Sequence, residues 1–192
     1  MGEGRRFFGT VIKLCAVVAL MTACAHSTNE VASSTYAPPA ASALKLPDKL
    51  DRDSLFKVWD RVWCRYQTVG WTALTPAEQV FYVVWHLESE VNHGGFQYYY
   101  YYSGGDHALD APAALDTIGA GNLKAILLKA NAAFPDSKPP RDIDQRQAYL
   151  DDELGERQHL IWASLDEQVF KYPDPTEALL WQFYLSHKEH FR

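Results

Sequence analysis

The residues that decide the fold run from Thr75 to Phe96 and read TPAEQVFYVVWHLESEVNHGGF. Thr75 and Glu78 form a capping-box pattern with proline at the first helical position, which predicts the start of a helix. The apolar residues of this helix lie on one stripe, which consists of Val80, Val84, Leu87 and Val91. Phe81 and Trp85 widen the stripe, and a helix with so broad an apolar face is expected at the centre of a fold.

The paired glycines Gly94 and Gly95 predict a sharp turn that stops this helix, because glycine adopts positive φ and lets backbones approach closely. We expect the turn to bring Phe96 back onto the helix, and Asn92 to cap it. A binding site at the same motif is the alternative interpretation, and its residues would be Glu90, Asn92, Gly94, Gly95 and Phe96.

Helical spacing of apolar residues continues through most of the chain. We expect further helices at about 51–69, from 112, at 123–134, between 149 and 172 with a break at Gly155, and from 176. The tyrosine run 98–102 has strand propensity, but it is short and bounded by glycines, so it predicts a short helix. The sequence has no hairpin signal. The fold class is therefore all-α, a compact domain of about six to eight helices.

The N-terminal sequence predicts export. Residues 1–23 combine basic residues, a short apolar run and small residues before a cysteine, as secretory signal peptides do. The residues MTAC at 21–24 resemble the lipobox of bacterial lipoproteins, which implies lipidation of Cys24; a plain cleaved signal is the alternative. Residues 24–47 are small, polar and proline-containing and predict a disordered tether, and residues 48–192 form one domain. We therefore expect a lipoprotein anchored in a membrane of the cell envelope, facing the periplasm or the exterior.

The chain is acidic. Its 18 basic and 24 acidic residues give a net charge of −6, and cleavage before Cys24 removes three basic residues and one acidic residue, which leaves about −8. This charge disfavours direct binding to nucleic acid and favours a basic or neutral protein partner. One acidic stretch contains Asp142, Asp144, Asp151, Asp152, Glu153 and Glu156. Arg141, Arg146 and Arg157 are interspersed, so a solvated helix face is the ordinary interpretation and a docking patch for a basic partner is the alternative.

Three side chains on the central helix have the spacing of metal ligands. His86, Glu90 and His93 follow one another at intervals of four and three residues, a spacing that would suit a metal-dependent hydrolase. They lie opposite the apolar stripe, so an exposed polar face is the competing interpretation. The sequence lacks a Gly-x-Ser-x-Gly elbow, a phosphate loop, Cys-x-x-Cys and His-Glu-x-x-His, and we expect no cofactor.

Two further groups of residues allow more than one interpretation. Tyr98, Tyr100 and Tyr101 would serve as a ligand platform, or they would pack in the core or in a homodimer contact. Cys64 lies between aromatic residues, which favours a small buried hydrophobe over a reactive thiol.

The motif at 90–96, read after Leu74-Thr-Pro-Ala-Glu78, resembles the DMP19-like family, a domain of unknown function. In that family a helix ends in Glu-x-x-Asn-Gly-Gly-Phe, an aromatic stretch follows, and a later helix holds a Gly-Ala step, here at 119–120. The resemblance covers roughly residues 74–190, and His93 departs from it by standing where asparagine is usual. It implies a helical domain. A named member of the family resembles DNA in its surface charge and is similar to a decoy for a DNA-binding regulator, a role that belongs to the cytoplasm.

These features together predict a non-enzymatic protein-binding module held in the cell envelope by a lipid anchor. Two alternatives stay open. One is a metal-dependent hydrolase built on His86, Glu90 and His93, and the other is a DNA-mimic regulator if the chain is not exported.

Overall fold

Seven α-helices make up the part of the chain that the computed structural model describes, residues 52–192. They are α1 Arg52–Val69, α2 Pro76–Tyr101, α3 Ala111–Ile118, α4 Gly121–Asn131, α5 Ile143–Asp152, α6 Glu156–Val169 and α7 Thr176–Ser186. Short 3-10 turns lie at Trp71–Ala73, Ser103–His107, Pro135–Ser137 and Lys188–His190. Strands are absent from residues 52–192, so the predicted all-α class of six to eight helices is confirmed. The predicted signal peptide, Cys24 and the predicted tether lie outside the described residues.

Helix α2 occupies the centre of the fold, as its broad apolar face predicts. The capping box is present: the Glu78 amide donates to Thr75 Oγ1 at 3.2 Å, and the Thr75 amide donates to Glu78 Oε2 at 2.9 Å. Helices α1, α3, α5, α6 and α7 all contact α2. The predicted stripe residues are buried, together with Phe81. None of the helices within residues 52–192 is long and apolar enough to cross a membrane.

The paired glycines kink α2 without ending it, which corrects the prediction that they stop the helix. Gly94 has φ −158° and ψ 23°, and Gly95 has φ 73° and ψ −171°, so both leave helical geometry. The chain resumes a helix at once, and the tyrosine run forms its last turns, which confirms the predicted short helix. Phe96 is buried directly after the kink, and its ring stacks with Tyr100 of the resumed helix at 6.1 Å between centroids.

A carboxylate from α6 holds the kink in place. The backbone amide of Phe96 donates to Asp166 Oδ1 at 2.9 Å, and this amide is one of those left without an intrahelical acceptor where the helix resumes. Burial raises the pKa of the Asp166 carboxyl, while the hydrogen bond from Phe96 lowers it. A Cβ atom at position 95 would overlap the Asp166 carboxylate. Gly95 is therefore required twice, by its positive φ and by this close approach.

A buried arginine closes the other end of α2. Arg146 on α5 has no exposed surface, which corrects the prediction that it belongs to a solvated acidic face. Its guanidinium donates to four backbone carbonyls and one carboxylate, namely those of Tyr100, Tyr102, Pro140, Arg141 and Asp106. Two of these carbonyls belong to the end of α2, where no following turn supplies an amide. Arg146 therefore joins α2, the 103–107 turn and α5.

Other local predictions have mixed outcomes. Gly155 separates α5 from α6, and α7 begins at Thr176, as predicted. Cys64 is exposed, so the prediction of a buried thiol is wrong: the α1 face that packs on α2 carries Val58 and Val62 instead.

We expect Gly95→Ala to lower the free energy of unfolding by about 2–4 kcal/mol, because the new Cβ is strained at positive φ and displaces Asp166 from the Phe96 amide. Urea unfolding measures the loss. Gly121→Ala is the matched control, since a Cβ there meets nothing within 4 Å, and it should change stability by no more than about 1 kcal/mol. Equal effects of the two changes would contradict this role for Gly95.

Arg146→Met should lower the free energy of unfolding by about 3–5 kcal/mol, because it leaves buried carbonyls and the Asp106 carboxylate without their hydrogen-bond donor. Arg157→Met, at an exposed position of α6, also removes one positive charge, and it should change the free energy of unfolding by less than about 0.5 kcal/mol. The thermal midpoint of both variants checks the difference, and a small effect at position 146 would show that the contacts are dispensable.

Candidate functional site

Aromatic rings enclose His86 on α2. The His86 ring stacks on Tyr82 at 4.5 Å and on Trp63 at 5.6 Å, and Trp59 lies 5.0 Å away at a tilt. His86 is buried, so the expectation of a solvent-exposed polar face is wrong at this position: aromatic residues of α1 cover it. Its Nδ1 lies 3.6 Å from Glu90 Oε1, and neither ring nitrogen has a hydrogen-bond partner within residues 52–192.

The three residues with metal-ligand spacing do not converge. Glu90 turns towards the 103–107 turn, where a Cβ on Gly104 would overlap its carboxylate. His93 is exposed and packs its ring against Tyr98 at 4.6 Å between ring centroids. No group of three or more His, Cys, Asp or Glu side chains in the described part of the chain is placed to hold a metal ion.

The tyrosine run divides between core and surface. Tyr99 and Tyr100 are fully buried, and Tyr100 stacks on Trp162 at 4.8 Å while its hydroxyl donates to Asn131 Oδ1. Burial raises the pKa of both hydroxyls. Tyr98 and Tyr101 are half-buried, so Tyr100 belongs to the core and only its neighbours remain available to a ligand or partner.

The acidic stretch forms a surface on α5 and the start of α6. Its six carboxylates are exposed, and none of them forms an ion pair within residues 52–192. Asp144, Asp151 and Asp152 lie on one side of α5, because residues seven and eight positions apart share a helix face. Asp142 caps this helix by accepting from the Gln145 amide at 2.9 Å.

Two exposed apolar side chains follow on α6. Leu160 is 67% exposed and Ile161 is 43% exposed, one turn after Glu156. Single exposed apolar residues are ordinary, but an exposed adjacent pair that follows a stretch of unpaired carboxylates in the sequence has the composition of a docking surface. We call Asp144, Asp151, Asp152, Leu160 and Ile161 the acidic–apolar face.

The motif asparagine lies beside a separate cleft. The cleft has a volume of about 300 Å³ and lies between the start of α1, the middle of α2 and the start of α7. Asn92 Nδ2 donates to the Glu88 carbonyl at 2.8 Å, and Tyr172 Oη donates to Asn92 Oδ1 at 3.1 Å. Arg52 and Glu177, which both line the cleft, form an ion pair at 2.9 Å. Asn92 therefore binds its own helix and Tyr172, where we expected a cap on the turn.

Glu88 is the unusual acid of this cleft. Burial, and secondly repulsion from Glu177, raise its pKa to about 7, while Arg52 lowers it. Asp174 also lines the cleft, but its two oxygens accept from the Leu123 amide at 2.7 Å and from Asn122 Nδ2 at 2.8 Å. Asp174 thus contributes negative charge to the cleft, while both of its oxygens accept hydrogen bonds from the start of α4.

Several of these residues carry no sequence signal. In the sequence, Asp166 and Arg146 look like ordinary charged residues of amphipathic helices. Their roles depend on contacts with residues 70 and 46 positions away, which only the folded structure shows. Tyr172, whose φ is 49°, follows α6 in a tight turn that the sequence shows only through the nearby prolines. Glu88 has the spacing of an exposed helical acid, and its neighbour Glu177 comes from α7.

Comparison with known proteins places the chain in a family. A family model described as DMP19-like protein matches residues 72–187, which is more than half of the chain. No curated protein and no solved structure matches it. The matched region begins just before α2 and ends just after α7, so it contains the kinked helix, Asp166 and Arg146. The chain belongs to the DMP19-like protein family.

Proposed function

We propose that this protein is a lipid-anchored, non-enzymatic binding domain of the bacterial cell envelope that docks a basic protein partner on its acidic–apolar face. The observation that carries the proposal is the composition of that face. Its carboxylates are exposed and unpaired within residues 52–192, and the exposed Leu160 and Ile161 follow them in the sequence on α6.

The acidic–apolar face has the two components that a docking surface needs. Leu160 and Ile161 would lose water on contact, which at roughly 25 cal/mol per Å² of apolar area supplies affinity. The carboxylates would attract Lys and Arg side chains and set the orientation of the partner, since charge complementarity acts on specificity and association rate more than on affinity. A partner with a basic rim around an apolar centre fits this face.

The anchor would determine where the partner is met. Lipid on Cys24 would hold the domain at a membrane, and residues 24–47, if they form the tether that their composition predicts, would let the face reach a neighbouring envelope protein. The overall acidity of the chain supports a basic protein partner and disfavours nucleic acid.

A photo-crosslinker in place of exposed Ala148, between the α5 carboxylates, should form an adduct in the intact envelope, whereas one in place of exposed Gln67 on α1 should not. Asp144→Asn/Asp151→Asn/Asp152→Asn should weaken the adduct at least fivefold because it removes the attractive charge, and binding to the captured partner should fall as salt rises. Asp53→Asn/Asp60→Asn on exposed positions of α1 is the charge control. An adduct that survives the triple change and shows no salt dependence would contradict the proposal.

Cys24→Ala should move the protein from the membrane fraction to the soluble fraction, because each buried methylene of the lost acyl chains contributes about 0.8 kcal/mol to anchoring. Fractionation followed by immunoblotting measures the shift. Retention of the variant in membranes would overturn the anchor and return attention to a DNA-mimic role.

A further inference from the structure

The cleft beside Asn92 offers hydrogen-bond acceptors to a ligand. The Asn92 amide nitrogen is bound to the Glu88 carbonyl, so its oxygen is directed to Tyr172 and the cleft. A carbonyl oxygen has two lone pairs, and the Tyr172 hydroxyl uses one of them. The carboxylates of Glu88 and Glu177 line the same space. A ligand that donates hydrogen bonds is therefore the complement.

The charges of the cleft select a cation. Its charged groups are Arg52, Glu88, Asp174 and Glu177, which leaves an excess of two negative charges when all of them are ionised. An anion would be repelled by three carboxylates. A metal ion would need three suitably placed ligands, and no such group occurs within residues 52–192. An organic ammonium group needs only acceptors and negative charge, and Pro175 and Ala178 supply apolar contact for its carbon chain.

The Arg52 side chain allows the ligand to enter. The ion pair between Arg52 and Glu177 joins side chains that are 71% and 37% exposed, so its contribution is small and an incoming ammonium group can replace the guanidinium. The volume of about 300 Å³ is at the lower end of the range for small-molecule sites, which favours a short, unbranched ligand.

We propose that this cleft binds a small organic cation through a primary ammonium group that contacts Glu88, Glu177 and the side-chain oxygen of Asn92. The site is separate from the acidic–apolar face and does not depend on a protein partner. The ammonium group offers three hydrogen-bond donors, one for each of these acceptors.

Binding should follow the ionisation of Glu88. Its pKa of about 7 means that the carboxyl is mostly neutral at pH 6 and mostly ionised at pH 8, while an alkyl ammonium keeps its charge at both. The other charged groups that line the cleft are Glu177, Arg52 and Asp174. Affinity for the cation should therefore increase as pH rises through 7.

Titration calorimetry of the full chain in mild detergent at low salt, with 1,4-diaminobutane as the probe, tests the site. We expect binding that is about fivefold tighter at pH 8 than at pH 6, the factor for one additional charge near 4 Å in water. Neutral 1,4-butanediol, a ligand of the same length, should not bind. No heat with the diamine up to 10 mM, or equal binding of the diol, would overturn the proposal.

Glu88→Gln assigns the binding to the cleft. This variant should lose at least fivefold in affinity at pH 8 and all of the pH dependence, yet stay folded, because it removes a carboxylate that the fold disfavours in its ionised form. Asp144→Asn on the acidic–apolar face removes one carboxylate elsewhere and should bind the diamine as the wild type does. Equal losses in both variants would show that the probe responds to net charge, and the site would be rejected.

Discussion

The contact between the Asp166 carboxylate and the Phe96 amide is the constraint on which the rest of the structure depends. It lets α2 change direction inside the core without leaving the start of its second segment uncapped. Because the helix resumes at once, Tyr99 and Tyr100 enter the core at an angle that a straight helix would not give them. Asn92, two residues before the kink, lies at the surface beside the cleft.

Sequence patterns predict the helices well and the site poorly, for a physical reason. Capping boxes, apolar stripes and glycines act over three or four residues, so the start of α2 at Thr75 and the break at Gly155 can be read directly. The roles of Arg146 and Glu88 depend on groups more than 40 residues away, Tyr102 for the first and Glu177 for the second. His86 is a further example: the sequence places it opposite the apolar stripe of α2, which predicts exposure, but aromatic residues of α1 cover it.

The molecule uses buried and exposed charges for different purposes. Buried or half-buried charges hold helix ends: Glu78 at the start of α2, Arg146 at its end, and Asp174 at the start of α4. These groups are matched by hydrogen bonds within the fold, and Asp174 in addition contributes its charge to the cleft. The carboxylates of α5 hold no helix end within residues 52–192, apart from the cap at Asp142.

The two contacts that fix α2 also determine when the domain can form. Asp166 lies 70 residues beyond Phe96, and Arg146 lies 46 residues beyond Tyr100. A growing chain that has made α2 therefore has no means of closing its kink until α5 and α6 have been synthesised. Contacts so distant in sequence slow folding, because the loop must close before they are formed. If the chain is exported in an extended state, as its N-terminal sequence predicts, this late closure would keep the first half of the domain unfolded while the rest is still being made.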